Sequence, residues 1–230
     1  MEELAARYGL PSDAAGGFAA VLEALAREPD PHTTVSEGEE AVDIHVADSL
    51  SGLEVPDVRA AKWIADIGAG AGFPGLVLAI ALPRARVDMI ESTSRKCAVI
   101  DRLTHAAGLD NEIVRALPMR AEERAAWGGS ESYDVVTARA VAGLAVLVEY
   151  AAPLLSMGGV LVAWKGGRDA DEESRGAKAA IEVGLQPEGV VEVQPYAESR
   201  NRNLHVYRKV AATPERFPRR SGMAVKRPLG

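Results

Sequence analysis

Residues 66–75 read Asp-Ile-Gly-Ala-Gly-Ala-Gly-Phe-Pro-Gly, the stretch of this chain best equipped to meet a ligand. Glycine has no Cβ, so the backbone can turn sharply and come close to a bound molecule. The apolar segment Trp63-Ile64-Ala65 precedes the run and Leu76–Leu82 follows it, which is the order strand, glycine loop, helix. Pro74 suits the first helical turn, where its missing N–H costs nothing. The amide groups of that turn face the gap beyond the strand, where an open α/β sheet holds a nucleotide-like ligand. The plain alternative is a tight turn with no ligand.

Gly70, Gly72 and Gly75 match the dinucleotide fingerprint formally, and that pattern alone is weak. Three features favour S-adenosylmethionine over a nicotinamide. Asp66 ends the first strand ahead of an additional Gly68-x-Gly70. Glu91 ends the second, where a carboxylate can accept both ribose hydroxyls, as either cofactor requires. The C-terminal third carries two strand-like segments that read as an antiparallel pair closing the sheet. No Ser-His-Asp or Cys-His set is apparent, and the four histidines lack metal-ligand spacing.

The elements that must position these residues alternate. Strands are expected at 63–67, 86–90, 112–115, 133–137 and 159–164, with helices at 75–82, 94–107, 120–126 and 143–155. This spacing means a parallel sheet with helices on both faces. The closing pair is expected at 190–195 and 203–210. Residues 1–58 read as a helical cap, with a helix near 18–27, a break at Pro29-Asp30-Pro31, and a capping box from Ser36 and Glu39. The helix so opened carries Val42, Val46 and Leu50 on one face, and Pro56 ends the region. His45 and Asp48 share a face, a placement better suited to an interdomain hydrogen bond than to catalysis. The α/β domain is expected over 59–210. A basic tail over 211–230, extended over the surface or disordered, follows.

Composition bounds the rest. The chain has 230 residues, 47% of them apolar, enough for one α/β domain and a small appendage. One cysteine, Cys97, leaves no internal disulfide and fits a reducing cytosol. Met1-Glu2-Glu3-Leu4 does not resemble a signal peptide, and the longest apolar runs stop short of a membrane span. The net charge is −7, yet residues 198–230 hold nine Lys/Arg against two acids. An acidic body with a basic end suggests a nucleic-acid partner; a solubilising tail is the bland alternative.

The glycine loop resembles the motif of the RsmG (GidB) family, which methylates guanine N7 in bacterial small-subunit ribosomal RNA. Further family-like segments stand in order: His45-Val46-Ala47-Asp48-Ser49-Leu50, Glu91-Ser92 with Arg95-Lys96, Arg120-Ala121-Glu122-Glu123, Thr137-Ala138-Arg139-Ala140, Lys165-Gly166-Gly167 and Arg202-Asn203-Leu204-His205-Val206. The likeness covers about residues 32–230. It departs before the capping-box helix, where His32-Thr33-Thr34 replaces the family's Trp-Asn and Asn-Leu-Thr text.

The resemblance implies a Rossmann-like methyltransferase: a seven-stranded, mostly parallel sheet with an antiparallel closing strand and a small N-terminal helical extension. It implies S-adenosylmethionine as cofactor, held at Gly68, Gly70, Phe73, Glu91, Ala121, Glu122 and Arg139. The substrate implied is a guanine in the decoding region of 16S rRNA, free or in the 30S particle. RNA contacts are expected at Arg95, Lys96, Lys165, Arg200, Arg202, Arg219 and Arg220. Guanine N7 carries a lone pair and no proton at neutral pH, so no general base is expected and Arg139 is the lone catalytic candidate. The protein is expected to be a cytoplasmic monomer without metal or membrane contact. Two other readings stand beside this one, a nicotinamide-dependent oxidoreductase and a non-catalytic RNA-binding assembly factor.

Overall fold

The computed structural model describes residues 1–230. Five parallel strands come first in the chain: β1 (Trp63–Ile67), β2 (Arg86–Ile90), β3 (Val114–Leu117), β4 (Tyr133–Arg139) and β5 (Leu155–Lys165). β6 (Leu185–Val193) and β7 (Arg202–Lys209) complete a seven-stranded sheet in the order β3-β2-β1-β4-β5-β7-β6. β5 pairs antiparallel with β7, and β7 with β6, so the closing pair expected from the sequence is present. Chain order reverses between β1 and β4, which leaves a crevice at the carboxyl ends of those neighbours.

Period-two alternation sorts the strand residues into two apolar clusters. Ile64, Val87, Val135 and Val162 face one side; Ala65, Val136, Leu161 and Tyr207 face the other. The first face packs against helices α1 (Glu2–Tyr8), α2 (Ala14–Arg27), α6 (Gly75–Ala81) and α7 (Ser94–Ala106). It also receives a broken helical run, α3 (Gly38–Ala41), a π-helical stretch Val42–Ala47, α4 (Asp48–Leu50), a 3-10 turn Ser51–Glu54 and α5 (Pro56–Ala60). Phe18, Leu25, Val46 and Leu50 of these N-terminal elements share one apolar cluster with Leu76 of α6, Ile100 of α7 and Val162 of β5. The opposite face carries α8 (Ala121–Arg124), α9 (Leu144–Ala151), α10 (Ala170–Val183) and α11 (Met223–Lys226).

Several expectations need correction. Ser36 and Glu39 do not form a capping box: Glu37 is the N-cap of α3 and makes no side-chain capping bond. Pro56 opens α5 instead of ending the region, consistent with its tolerance at a first helical turn. Helix α10 was absent from the expected pattern, although its ends are marked. Asp169 accepts the amides of Asp171 and Glu172, and Gly184 closes the helix in the left-handed region at φ 86°.

The C-terminal tail runs irregularly over the surface but is anchored. Phe217 and Ala224 are buried in the second cluster. Arg219 forms a two-pronged ion pair with Glu149 of α9, and the Gly222 amide donates to the Glu122 carboxylate at 2.9 Å. Phe217→Ala is therefore expected to destabilise the fold by about 3 kcal/mol in urea unfolding. A tail loose in solution would leave the midpoint unchanged.

Candidate active site

The far end of the loop after β1 is held by one carboxylate. Asp66 is fully buried at the end of β1. Its Oδ2 accepts the Gly75 amide at 2.9 Å and its Oδ1 accepts the Thr137 hydroxyl of β4 at 2.9 Å. The loop is thus tied at its far end to the two strands that flank the crevice. Position 75 must be glycine for a spatial reason: a Cβ there would stand 2.6 Å from Met89 Cγ and 3.0 Å from Asp66 Oδ2. Gly68 sits at φ +66° with Val141 of the β4–α9 loop directly over it, 2.6 Å from where a Cβ would lie.

Beyond this loop lies a cavity of about 370 Å³ at the carboxyl ends of β1, β2 and β4. Glu91, Ser92 and Thr93 follow β2 into its wall; Met119–Glu122 come from the turn after β3; Ala140–Ala142 come from the turn after β4. Ile90, Met119, Tyr150 and Val225 give it apolar surfaces. The Glu91 carboxylate, almost fully buried, accepts the Gly70 amide at 3.2 Å and the Thr93 amide at 2.9 Å, with Lys96 Nζ 3.9 Å away. Glu122 lines the same space, while Glu123 turns back to cap its own helix by accepting the Arg120 amide.

A second cavity of about 190 Å³ adjoins the first, and Ala140 and Ala142 line both. Its walls are Asp48, Arg139, Leu147, Trp164, Lys165, Gly166, Arg202 and Asn203. Arg139 Nη1 donates at 2.8 Å both to Asp48 Oδ2 and to the Ile44 carbonyl. The Trp164 indole donates to the Asp48 carbonyl at 2.9 Å, which fixes its ring. His45 donates through Nε2 to the Val35 carbonyl at 2.6 Å and stacks on Phe73 with ring centroids 4.3 Å apart. Burial lowers the His45 pKa, so the neutral ring is favoured in this stack. The interdomain link expected of this helix face therefore runs from His45 to Phe73 by packing and from Asp48 to Arg139 by charge.

Gly68, Glu91, Lys96, Ala121 and Glu122 converge on the first cavity. Gly70 and Phe73 do not line it: the Gly70 amide is spent on Glu91, and Phe73 packs behind the loop. Arg139, Lys165 and Arg202 line the second cavity. Lys165 is paired to Glu172 at 2.7 Å, and Arg202 Nε approaches Asp48 Oδ1 at 3.8 Å. Arg95, Arg200 and Arg220 are exposed and make no ion pair. Sequence reasoning missed Met119, Tyr150 and Val225 in the first cavity, and Trp164 and Asn203 in the second. Only topology brings these to the crevice; Asn203 alone carried a signal, its place in the Arg-Asn-Leu-His-Val segment. Cys97 is a buried thiol, its pKa pushed up to about 11 by burial, and plays no evident chemical role.

A family model described as GidB, rRNA small subunit methyltransferase G, matches residues 31–203. A curated relative named ribosomal RNA small subunit methyltransferase G, from Rubrobacter xylanophilus, is 43% identical over 188 residues, spanning 80% of this chain and 72% of the relative. The protein of the same name from Bacillus subtilis is 34% identical over 202 residues, 86% of this chain and 82% of that one. Among solved structures, the mitomycin 7-O-methyltransferase MmcR superposes with a TM-score of 0.58 at 16% identity, covering 73% of this chain and 54% of that one. A SAM-dependent O-methyltransferase from Thermotoga maritima superposes at 0.54 and 18% identity, covering 73% and 66%. These two likenesses establish the fold.

Asp66 has a pKa raised from 3.8 to about 6, chiefly because burial penalises its charged form; the bonds from Thr137 and Gly75 offset only part of this. The folded state binds a proton more tightly than the unfolded one, so the contribution is fully present below the unfolded pKa and lost as pH rises through about 6. Asp66→Asn removes this titration. The unfolding free energy of wild type minus that of the variant is expected to fall by up to about 3 kcal/mol between pH 3.5 and pH 7, measured by urea denaturation at each pH. A flat difference would mean that Asp66 titrates normally.

Proposed function

The chain belongs to the ribosomal RNA small subunit methyltransferase G family, and on that premise we propose that it transfers a methyl group from S-adenosylmethionine to N7 of a guanine in 16S rRNA. The observation that carries the reading is the acid-bearing cavity at the carboxyl ends of β1 and β2, next to a loop pinned from beneath by Asp66. Neither a nicotinamide oxidoreductase nor a purely structural RNA-binding role is favoured by the family.

The residues present suit the cofactor. A nucleoside needs flat apolar surfaces for its base and a carboxylate for its ribose hydroxyls, and the cavity offers Ile90, Met119 and Tyr150 for the first and Glu91 for the second. Glu122 supplies a second carboxylate, suited to the exocyclic amino group, and backbone at Gly68 and Ala121 lets the ligand approach closely. Bound there, S-adenosylmethionine supplies a methyl group activated by its sulfonium.

What the chain contributes is placement. Guanine N7 is nucleophilic without deprotonation, so no side chain needs to take a proton. Holding two reactants in line is worth up to about 7–11 kcal/mol against the bimolecular reaction. The β4–α9 loop walls both cavities and separates the chamber assigned to the cofactor from the one beside it. Arg139 orients this junction through Asp48 and the Ile44 carbonyl. RNA phosphates are assigned to Arg95, Arg200 and Arg220, which make no ion pair, before Lys165, Arg202 and Arg219, which do. The same reading has the enzyme working in the cytosol as a monomer on 16S rRNA or the 30S particle.

Purified protein is expected to bind S-adenosylmethionine in calorimetry and to transfer labelled methyl groups to 30S particles from cells lacking the gene, yielding N7-methylguanosine. Glu91→Gln is expected to weaken cofactor binding by tenfold or more, roughly the loss of one charge-assisted hydrogen bond. Particles left unlabelled despite firm cofactor binding would refute the assigned reaction.

A further inference from the structure

We propose that the second cavity is the base pocket, where Arg202 and Asp48 read O6 and N1–H of the target guanine. The assignment rests on the methyltransferase reading above.

Two polar atoms on the walls of this cavity are buried and unsatisfied. Asp48, only 5% exposed, commits Oδ2 to Arg139 and leaves Oδ1 without a hydrogen-bond partner; Arg202 Nε lacks one as well. The two atoms lie 3.8 Å apart, too far for a hydrogen bond to each other. A buried carboxylate oxygen and a buried guanidinium N–H are each costly when unpaired. Side by side, on two residues that wall one cavity, they form an acceptor next to a donor.

Guanine presents the complementary pair on adjacent ring atoms. O6 accepts, and N1–H donates. Adenine reverses both, with a donating amino group at C6 and an accepting N1. A guanine in the pocket satisfies Arg202 Nε through O6 and Asp48 Oδ1 through N1–H, whereas an adenine leaves both orphaned. O6 and N7 flank the same side of the purine, so gripping O6 also fixes where N7 points. The cavity shares Ala140 and Ala142 with the cofactor chamber, so a base seated in it has the methyl donor's chamber directly alongside. The remaining walls are rigid: the Trp164 indole is bonded to the Asp48 carbonyl, and the Asn203 amide donates to the Gly166 carbonyl at 2.6 Å. A site of this size admits one base taken out of its stack, the arrangement used by enzymes that modify bases.

The plain alternative is that Asp48 only ties the N-terminal helices to Arg139. The two roles separate in a cycle of enzyme variant against base analogue. Thirty-S particles are reconstituted with guanine, inosine or 2-aminopurine at the position the wild-type enzyme modifies. Inosine keeps O6 and N1–H; 2-aminopurine lacks both. Wild-type kcat/KM is expected to be similar for guanine and inosine and roughly 100-fold lower for 2-aminopurine. Asp48→Asn is expected to lower kcat/KM roughly 10- to 100-fold for guanine while barely affecting 2-aminopurine, so that discrimination collapses. Arg202→Ala, at a half-exposed side chain that tolerates truncation, is expected to give the same collapse. Both variants should bind S-adenosylhomocysteine as wild type does in calorimetry.

Equal losses on guanine and 2-aminopurine particles, or no loss on either, would overturn the base-reading assignment while the enzyme remained a methyltransferase. Wild-type protein that labels no particle would overturn the underlying reading and this assignment with it.

Discussion

The buried carboxylate of Asp66 is the contact on which the catalytic edge of the sheet depends. It lies between β1 and β4, where the direction of strand addition reverses, and no ion pair is made to it; the charge of Arg139 offsets only part of the cost of its burial. Its two partners are one amide and one hydroxyl, and that is a marginal arrangement for a carboxylate out of water. The consequence is a shared restraint: one side chain fixes the spacing of two strands and the start of α6 together. The glycine loop between those fixed ends then has one course open to it, with Gly68 beneath Val141 and the Gly70 amide directed to Glu91. Glu91 is held in turn by Thr93 at the head of α7. The cavity wall is therefore a chain of restraints running from β1 through the loop to β2, and its acid arrives preorganised.

A second chain of restraints connects the N-terminal helices to the same edge. Asp48 receives Arg139 from the end of β4 through its carboxylate and Trp164 from the end of β5 through its carbonyl. His45, one turn earlier, stacks on Phe73 behind the glycine loop. Three strand-end elements thus read the position of one short helical segment. The helical extension is continuous with the core, because Phe18, Leu25, Val46 and Leu50 pack in the same cluster as α6 and β5. Its function at the site is to supply the far wall of the second cavity, which the sheet alone cannot build.

The sheet was legible because its signal is local. Trp63–Ile67 and Arg86–Ile90 are short apolar runs bounded by turn residues, and both strands fall where the pattern places them. Their order follows from alternation with helices. Helix α10 was less legible because its exposed face is dense in charge, Asp171-Glu172-Glu173 with Arg175 and Lys178, and its buried face rests on small residues, Gly176, Ala179 and Ala180. The marks that define it are its ends, Asp169 and Gly184. At the site, Glu91 and Glu122, both singled out from the sequence, stand beside the first cavity because strand ends converge there. It could not place Tyr150 or Val225, which reach the cavity from α9 and α11 through packing alone. Nor could it foresee that the Arg139 guanidinium faces Asp48, since that depends on where a helix ninety residues earlier in the chain docks.

Charge raises a different issue, because composition and structure give unlike answers. The excess of arginine and lysine after residue 198 suggests a cationic surface for a polyanion. Folding consumes much of it. Arg208 pairs with Asp57 and Glu188, Lys209 is buried against Glu131 and two carbonyls, Arg216 meets Glu182 and Arg219 meets Glu149. These cations are struts between the acidic body and its own C-terminal third, and an ion pair already made inside the molecule releases few counterions when RNA arrives. After residue 198 the cations without an ion pair are Arg200, Arg220, Lys226 and Arg227, and they belong to separate elements, the β6–β7 loop and the tail; Arg95, also unpaired, stands apart from them at the head of α7. A few scattered charges position a phosphate backbone without supplying strong sequence-independent affinity. For an enzyme proposed to modify one guanine in a large RNA, selectivity must then come from the base pocket and from RNA shape, and a chain of net charge −7 works in favour of that outcome by discouraging indiscriminate binding.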